Sequence, residues 1–348
     1  MPEKAAHMII RADADDRIGS GHLMRCMALA QAWRSRGAGV TFVTCCESPS
    51  LRKRLADEGM QVVPLEQPHP HRQDWMVTSE VLRNRPAAWV VLDGYQFDPE
   101  YQSLIKKNGN RLLVIDDTAH LSHYCADLIL NQNLGADTLI YSVEPYTRMK
   151  LGPKYALLRP EFLNWRGWKR AIPKAAVNVL VTLGGADYHN ATLQVVNALK
   201  GVDCPDLAVK IVAGASNPNL ETLKDAVYSA TDTMSLLSDV GDMSKLMAWA
   251  DLAVTAAGST CWELSFMKLP FAAIVLAENQ ERICAEVEKN GIAVRLGWYY
   301  QLEPELLEKS LFQLIHDSKG RSGMAEKAEK LVDGLGADRV LDALEKAV

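Results

Sequence analysis

The sequence predicts an α/β protein with two successive units, each built on a doubly wound parallel sheet. Short apolar runs rich in β-branched residues alternate with helical patterns along the chain. The runs are nearly continuous rather than alternating, which is typical of strands that helices cover on both faces. A chain of 348 residues is also long for one average domain and fits two.

The first half of the chain contains six predicted strands. Their sequences are HMIIRADA, GVTFVTCC, MQVVPL, WVVLDG, RLLVIDD and DLILNQN. Apolar residues recur at steps of three and four from Leu23 to Arg36, which predicts a helix, and Gly37 follows where a helix is expected to stop. We assign residues 1–165 to an N-terminal domain.

The pattern breaks between Asn164 and Ala175, where Pro173 and a basic, tryptophan-bearing composition indicate a linker or crossover. The alternation then restarts with the sequences AVNVLVTLGG, DLAVKIVAGA, TMSLLS, DLAVTAAG and FAAIVLA. The chain beyond residue 300 is predicted to be helical. We assign residues 175–348 to a C-terminal domain.

Composition excludes several classes of partner. A formal charge of -5 gives no electrostatic reason to expect a nucleic acid or an anionic membrane. No apolar run approaches the roughly 20 residues of a membrane-spanning helix, and the apolar stretch near the N-terminus is too short for a signal peptide. The seven cysteines are scattered, with only Cys45 and Cys46 adjacent, which is typical of a reducing compartment. We expect a cytoplasmic protein with neither nucleic acid nor membrane as partner.

The stretch DRIGSGHLMRC, from Asp16 to Cys26, carries the first glycine turn. A dinucleotide fingerprint would need a third glycine at the position of Met24, so that interpretation fails. What remains is a tight turn whose amides, with the helix that follows, can face an anion. The turn consists of Gly19, Ser20 and Gly21.

Two similar turns follow the first and fourth strands of the second half. They contain Gly184 and Gly185 in one case and Gly258, Ser259 and Thr260 in the other. If the strand order is 3-2-1-4-5-6, these two strands lie side by side where the crevice of the fold opens. The pair of turns then predicts a diphosphate site, whereas the plain alternative is that turns between strands and helices commonly contain glycine.

His22 lies in the first helical turn after its glycine turn and is the candidate for proton transfer. Asp93 and Tyr95 end one predicted strand, and Asp116 and Asp117 end another. Acids at the ends of buried parallel strands converge on one crevice, where a carboxylate can orient an imidazole and Tyr95 can hydrogen-bond a substrate. The alternative is that His22 only caps or packs the start of its helix.

Asp116 and Asp117 could instead bind a divalent metal beside a diphosphate. Adjacent residues of a strand point to opposite faces, however, so this pair cannot chelate one ion alone. We therefore expect a site without a metal and a protein without a cofactor.

Glu263 and the pair Asn279–Gln280 complete the candidate binding residues. Glu263 lies one turn into the helix after Gly258, where it can reach a ribose, although a solvent-facing role is the alternative. Asn279 and Gln280 follow the strand FAAIVLA and can face a sugar, although Asn279 is also an ordinary helix cap there.

These stretches together resemble a known family. RADADDRIGSGHLMRCMALA, VVLDGYQFD, LLGPKYALLRPEF and TAAGSTCWELSFMKLPFAAIVLAENQ are similar to the UDP-2,4-diacetamido-2,4,6-trideoxy-β-L-altropyranose hydrolases of pseudaminic acid biosynthesis. The resemblance runs in order from about residue 8 to residue 295. The C-terminal half also resembles the GT-B glycosyltransferase that adds UDP-GlcNAc to the lipid-linked peptidoglycan precursor.

The resemblance implies a GT-B fold, with two Rossmann-like doubly wound parallel-sheet domains facing a central cleft and UDP held mainly by the second. In such folds the last helix often crosses back to the first domain, which is the alternative to assigning the whole helical tail to the second. It implies that His22 is the base that activates water, with Asp93, Tyr95 and Asn279 beside the reaction. The substrate and UDP ligands would be Gly19, Ser20, Gly21, Arg25, Gly184, Gly185, Gly258, Ser259, Thr260, Glu263 and Gln280. Uracil would lie near Val212–Ala215 and Leu237–Met243.

The implied reaction is metal-independent hydrolysis of a UDP-sugar, by cleavage of the anomeric C–O bond with inversion. Two alternatives stay open: a GT-B glycosyltransferase that uses a UDP-sugar donor, and a sugar-nucleotide-binding protein without activity. The sequence determines neither the sugar nor the oligomeric state, for which we expect a monomer.

Overall fold

The computed structural model describes residues 7–15, 19–185, 187–214, 217–228, 233–238 and 240–346. The chain divides into two compact units. The first unit comprises Met1–Pro160 with Leu335–Val348, and the second comprises Glu161–Gly334. No helix among the described residues is both long and apolar enough to cross a membrane.

The first unit contains a seven-stranded sheet in which every neighbouring pair is parallel. Its strands are β1 (His7–Ala12), β2 (Gly39–Thr44), β3 (Gln61–Pro64), β4 (Trp89–Asp93), β5 (Arg111–Ile115), β6 (Leu128–Asn131) and β7 (Arg148–Leu151). Its first helices are α1 (Gly21–Ser35), α2 (Pro49–Asp57), α3 (Arg72–Arg83) and α4 (Pro99–Lys107). The strand order is β3-β2-β1-β4-β5-β6-β7.

The register of this sheet positions polar residues at one edge. Ala12 at the end of β1 pairs with Asp93 at the end of β4, and Asp93 pairs with Ile115 at the end of β5. Because parallel strands end at the same edge of a sheet, the residues that follow β1, β4 and β5 are neighbours there. This edge carries the candidate site.

The second unit contains a six-stranded parallel sheet in the order β10-β9-β8-β11-β12-β13. Its strands are β8 (Asn178–Thr182), β9 (Ala208–Val212), β10 (Met234–Leu237), β11 (Leu252–Ala256), β12 (Phe271–Val275) and β13 (Ala293–Trp298). Counted within the unit, this order is 3-2-1-4-5-6, so the first and fourth strands do lie side by side. The helices are α5 (Pro160–Leu163), α6 (Ala191–Gly201), α7 (Leu220–Tyr228), α8 (Met243–Trp249), α9 (Thr260–Phe266), α10 (Glu278–Lys289), α11 (Pro304–His316) and α12 (Ser318–Glu329).

The last helix, α13 (Gly336–Glu345), is part of the first unit rather than the second, to which the sequence pattern assigned it. Val340, Leu341 and Leu344 are fully buried in the same apolar cluster as the inner face of α1. A Cβ on Gly336 would lie 2.1 Å from the carbonyl oxygen of Ala156, so only glycine allows this close approach. The helical pattern predicts this helix, but it does not say which sheet the apolar face covers.

Two strands, β7 and β13, are absent from the sequence prediction. Both lie at the edge of their sheet, and β7 reads RMKL with its first two residues exposed. β13 is only partly buried along most of its length. Neither sequence has the continuous apolar run that marks the central strands of a parallel sheet, since two basic residues occur in β7 and Arg295 and Gly297 interrupt β13.

Candidate functional site

His22 is the second residue of α1, directly after the glycine turn, as the sequence predicts. Gly19 adopts a φ of 70°, a conformation that favours glycine. The N-cap residue Ser20 makes no side-chain hydrogen bond to the helix. The His22 side chain is only 11% exposed, so its ring is held at the sheet edge rather than in bulk solvent.

Asp93 holds the His22 ring from the end of β4. The Nδ1 atom of His22 lies 2.5 Å from Oδ1 of Asp93, which is fully buried. A carboxylate can only accept, so Nδ1 carries the proton that it donates to Asp93. This tautomer leaves the lone pair of the neutral ring on Nε2, as a general base requires.

Arg25 lies one turn after His22 on the same helix and pairs with two carboxylates. Its Nε and Nη2 donate to the oxygens of Asp93 at 2.6 and 2.7 Å. Its Nη1 and Nη2 donate to Asp117 at 2.8 and 2.9 Å. Because Arg25 is 7% exposed and its guanidinium faces both acids, the geometry supports a positioning role instead of the substrate-binding role expected from the sequence.

In this cluster, burial and neighbouring charges shift the pKa values in opposite directions. Burial alone would lower the pKa of Arg25, but Asp117 and Asp93 outweigh it and raise that pKa well above its usual value. Burial would raise the pKa of both carboxyls, yet the Arg25 charge holds each below its usual range. One guanidinium and two carboxylates give the cluster a net charge of −1, which a proton taken up by His22 would neutralise.

Tyr95 and Asn133 complete the surroundings of Asp117. The Tyr95 hydroxyl donates to Oδ2 of Asp117 at 2.9 Å, and its ring packs edge-on against His22 with centroids 5.3 Å apart. The side-chain amide of Asn133 donates to Oδ1 of Asp117 at 2.7 Å. Asn133 is not among the residues predicted from the sequence, although the three amide side chains of residues 131–133, at the end of the buried strand β6, are a usable signal.

Asp116 belongs to a different network from Asp117. It accepts hydrogen bonds from the amides of Thr118 and Ala119 and from the hydroxyls of Tyr124 and Tyr141. The two adjacent carboxylates therefore belong to separate networks, although both residues follow β5 rather than lie within it.

His120 joins the segments that follow β4 and β5. Its Nδ1 lies 2.9 Å from Oδ2 of Asp116, and its Nε2 lies 3.2 Å from the carbonyl oxygen of Tyr95. Both nitrogens face acceptors, so the protonated ring, which donates from both, is favoured. The hydrogen bond to Asp116 accordingly raises the pKa of His120 above its usual value.

The candidate phosphate turns of the second unit follow two neighbouring strands, β8 and β11. Gly184 has a φ of 95° and is exposed. The segment after β9 packs against this turn, since a Cβ on Gly214 would lie 2.2 Å from the carbonyl oxygen of Gly185. The other turn, with Gly258 and Ser259, leads into α9, where the amides of Cys261 and Trp262 donate to the carbonyl oxygens of Gly258 and Ser259 at 3.0 Å.

Asp187 fixes the helix that follows the first of these turns. Its carboxylate accepts hydrogen bonds from the amides of Ala191 and Thr192 at 2.9 and 2.8 Å, and these amides begin α6. The Asp187 side chain therefore replaces an external anion at the start of α6. The diphosphate assignment consequently depends on the amides of the glycine turns and not on α6.

The remaining predicted ligands lie on α9 and α10. Glu263 is half-buried in the first turn of α9. The N-cap of α10 is Ala277, so Asn279 lies inside the helix and the alternative role of Asn279 as its cap is wrong. The Gln280 side-chain oxygen accepts from the amide of Leu276 at 2.9 Å and closes the turn after β12.

The predicted uracil segments extend partly beyond the structure. Ala215 in the first and Asp239 in the second lie outside the described residues. Val212 ends β9 and Leu237 ends β10, and these strands are hydrogen-bonded neighbours.

The two parallel sheets are Rossmann-like, and the chain has the GT-B fold of the solved structures that it resembles. Residues 178–339 match the family model of the glycosyltransferase family 28 C-terminal domain. The structure of MurG from Acinetobacter baumannii is similar, with a TM-score of 0.65 and 15% identity over 98% of this chain and 99% of that chain. The calicheamicin glycosyltransferase CalG4 gives a TM-score of 0.64 and 17% identity over 99% of this chain and 98% of that chain.

Among sequence relatives, the chain is similar to the UDP-2,4-diacetamido-2,4,6-trideoxy-beta-L-altropyranose hydrolase of Campylobacter jejuni. The two are 26% identical over 290 residues, which are 82% of this chain and 98% of the relative. This match confirms the resemblance found in the sequence.

Two further relatives have similar sequence identities to this chain. The spore coat polysaccharide biosynthesis protein SpsG of Bacillus subtilis is 25% identical over 341 residues, which are 97% of this chain and 98% of the relative. An uncharacterized protein of Methanocaldococcus jannaschii is 24% identical over 287 residues, which are 79% of this chain but 56% of the relative. The chain therefore matches little more than half of that archaeal protein.

Proposed function

We propose that the protein hydrolyses a UDP-linked 2,4-diacetamido-2,4,6-trideoxyhexose to the free sugar and UDP. The observation that carries the proposal is the His22–Asp93 pair, in which Nδ1 is held at 2.5 Å and Nε2 is left to accept a proton. The similarity to the Campylobacter jejuni hydrolase supports the choice of reaction and of substrate. The proposed pathway is nonulosonic acid biosynthesis of the pseudaminic type, in the cytoplasm.

In the proposed step, water attacks the anomeric carbon while His22 Nε2 takes its proton. The C–O bond to the diphosphate breaks, and UDP leaves with the electron pair. Attack opposite the leaving group inverts the anomeric centre. The imidazolium that forms is balanced by Asp93, which stays ionised because Arg25 holds its pKa low.

UDP is a good leaving group, so the reaction needs no carboxylic acid to protonate it, unlike an ordinary glycosidase. The proposed binding groups for the diphosphate are the amides around Gly184, Gly185, Gly258 and Ser259, which can meet the growing negative charge. Glu263 is the proposed ribose ligand, and Asn279 and Gln280 are the proposed sugar-side residues. No step is assigned to a metal ion.

Hydrolysis in oxygen-18 water tests the bond that breaks. The proposal predicts that the label enters the anomeric hydroxyl of the free sugar and that the new anomer is the inverted one in the first proton NMR spectra. Label in the UDP would mean attack at phosphorus and would contradict the proposal.

A GT-B glycosyltransferase is the second candidate, and the family 28 match over residues 178–339 favours it. A transferase would need an acceptor alcohol, whereas the proposed hydrolase releases free sugar in buffer alone. A panel of UDP-sugars, assayed for UDP release with and without candidate acceptors, separates the two. Binding of every UDP-sugar with no release of UDP would instead favour a protein that only binds its ligand.

A further inference from the structure

We propose that His123, Cys125 and Glu144 bind a divalent transition-metal ion of the zinc class. The Nδ1 or Nε2, Sγ and carboxylate oxygen of these residues lie within 4.8 Å of one another. Within the described part of the chain, no other group of three histidine, cysteine or acidic side chains meets this distance. The proposal is independent of the proposed hydrolysis, because none of the three residues contributes to the His22 cluster.

The backbone explains why the three side chains share a face. Tyr124 and Val143 form an isolated parallel bridge, in which the Tyr124 amide donates to the carbonyl of Ser142 at 2.9 Å. Alternate residues of extended chain point to the same side. Tyr124 is fully buried, so its neighbours His123 and Cys125 face outward, and Glu144 follows Val143 on the adjoining segment.

The contacts of the His123 ring are compatible with metal ligation. Its Nδ1 lies 3.0 Å from Oγ of Ser142, and its Nε2 lies 3.3 Å from Oε1 of Glu144. A ligating histidine usually donates its second N–H to an oxygen, which fixes the tautomer and aims the other nitrogen at the metal. If Nδ1 donates to Ser142, the lone pair on Nε2 points toward the Glu144 carboxylate. A cation bound between these two groups would remove the repulsion between the lone pair and the carboxylate.

Cys125 is held in place by its backbone. Its amide donates to Oε1 of the fully buried Gln102 at 2.9 Å, and its Sγ lies 3.3 Å from Oγ of Ser103. The His123 and Glu144 side chains are 38% and 36% exposed, so an ion can enter from solvent.

The donor set determines the class of ion. One imidazole, one thiolate and one carboxylate suit zinc, which takes three protein ligands with water as the fourth in open sites. The thiolate disfavours Mg²⁺ and Ca²⁺, which prefer oxygen ligands. The competing interpretation is a plain ion pair between a protonated His123 and Glu144, with Cys125 as a bystander.

Metal binding at this place would stabilise a segment beside the candidate site. Tyr124 lies between two of the proposed ligands, and its hydroxyl donates to Asp116 at 2.8 Å. Asp116 in turn holds His120, which contacts the carbonyl of Tyr95. We therefore expect the ion to have a structural role for residues 120–125.

The test measures metal binding by the chelator-treated full-length chain. Equilibrium dialysis against Zn²⁺ is expected to give one bound ion per chain, and Co²⁺ is expected to give a thiolate-to-cobalt charge-transfer band. Cys125→Ser should abolish the band, and His123→Ala and Glu144→Gln should each weaken Zn²⁺ binding by at least about tenfold. Ser142→Ala should weaken it by about tenfold through the ring orientation alone.

Cys204→Ser is the matched control, because this thiol is also half-buried but lies in the second unit. It should bind both metals like the unmodified chain. Zn²⁺ should raise the melting temperature of the unmodified chain and of Cys204→Ser but not of Cys125→Ser, which reports binding to the folded state. Absence of a stoichiometric ion, or binding that survives in all three ligand variants, would overturn the proposal, and the circular dichroism spectra show that each variant is folded.

Discussion

The carboxyl edges of the two sheets carry different kinds of polar group. In the first unit, the edge carries buried charged side chains, namely Arg25, Asp93 and Asp117, which fix one another and hold His22. In the second unit, the corresponding edge has glycine turns after β8 and β11, and the buried Asp187 accepts from the backbone amides of Ala191 and Thr192. A group that transfers a proton needs a controlled electrostatic environment, whereas a diphosphate needs close approach to N–H groups. The difference supports a division of labour between the two units.

The largest expected effect on stability comes from removing the cation that pairs with the buried carboxylates Asp93 and Asp117. Arg25→Met leaves two buried carboxylates without their cation, so we expect the free energy of unfolding to fall by about 3–5 kcal/mol. Urea denaturation measures this change. Arg36→Met, at the C-cap of the same helix, is the matched control, because Arg36 pairs with Asp342 and Glu345 in a much more exposed setting and its loss should cost about 0–1 kcal/mol. Equal losses for the two variants would contradict the structural role of Arg25.

Substitution of Gly184 tests the role of the glycine turn after β8 in the second unit. An added Cβ there meets nothing within 4 Å, but the φ of 95° strains any other residue. We expect Gly184→Ala to lower the free energy of unfolding by about 1–3 kcal/mol and to weaken UDP binding, measured by titration calorimetry.

Gly323→Ala is the control for this variant. Gly323 lies within α12 of the same unit with open space around it, so alanine should stabilise that helix by about 0.5–1 kcal/mol. UDP should bind this variant normally. Unchanged UDP affinity in Gly184→Ala would remove the first turn from the proposed diphosphate site.

A smaller effect is expected from His120, as a dependence of stability on pH. The folded state raises the pKa of His120 through Asp116, so the stabilisation is complete below the ordinary histidine pKa of about 6.5. It is lost as the pH rises through the raised pKa of the folded state. The difference in unfolding free energy between the unmodified chain and His120→Gln should therefore shrink as the pH increases from about 6.5. A difference that is constant across this range would contradict the Asp116–His120 interaction.

The sequence predicts the buried central strands of both sheets better than the more exposed strands at their edges. The central strands are visible as apolar runs, and the residues at their ends, Asp93 and Tyr95, are placed correctly because parallel strands end at one edge. The edge strand β7 is too polar and too exposed to show that pattern, and in β13 the apolar run is interrupted by Arg295 and Gly297. The attachment of α13 to the first unit depends on a matching surface, which a helical period does not encode.

In the candidate site, too, the sequence predicts local features better than contacts between residues that are distant in the chain. His22 is predictable because it follows a glycine turn into a helix. The positioning role of Arg25 and the contact of Asn133 with Asp117 depend on which side chains meet after folding, across 92 and 16 positions of sequence. Asn279 illustrates a local error, since a cap signal was present but the helix begins before it.

The most direct test of the division of labour measures two quantities on His22→Ala: turnover of the UDP-sugar and affinity for UDP. His316→Ala, which removes an exposed ring at the end of α11, serves as the control. We expect a loss of at least about a hundredfold in kcat with an unchanged Kd for UDP, and no change in either quantity for the control. Turnover that survives in His22→Ala, or a parallel loss of UDP affinity, would contradict this division of labour.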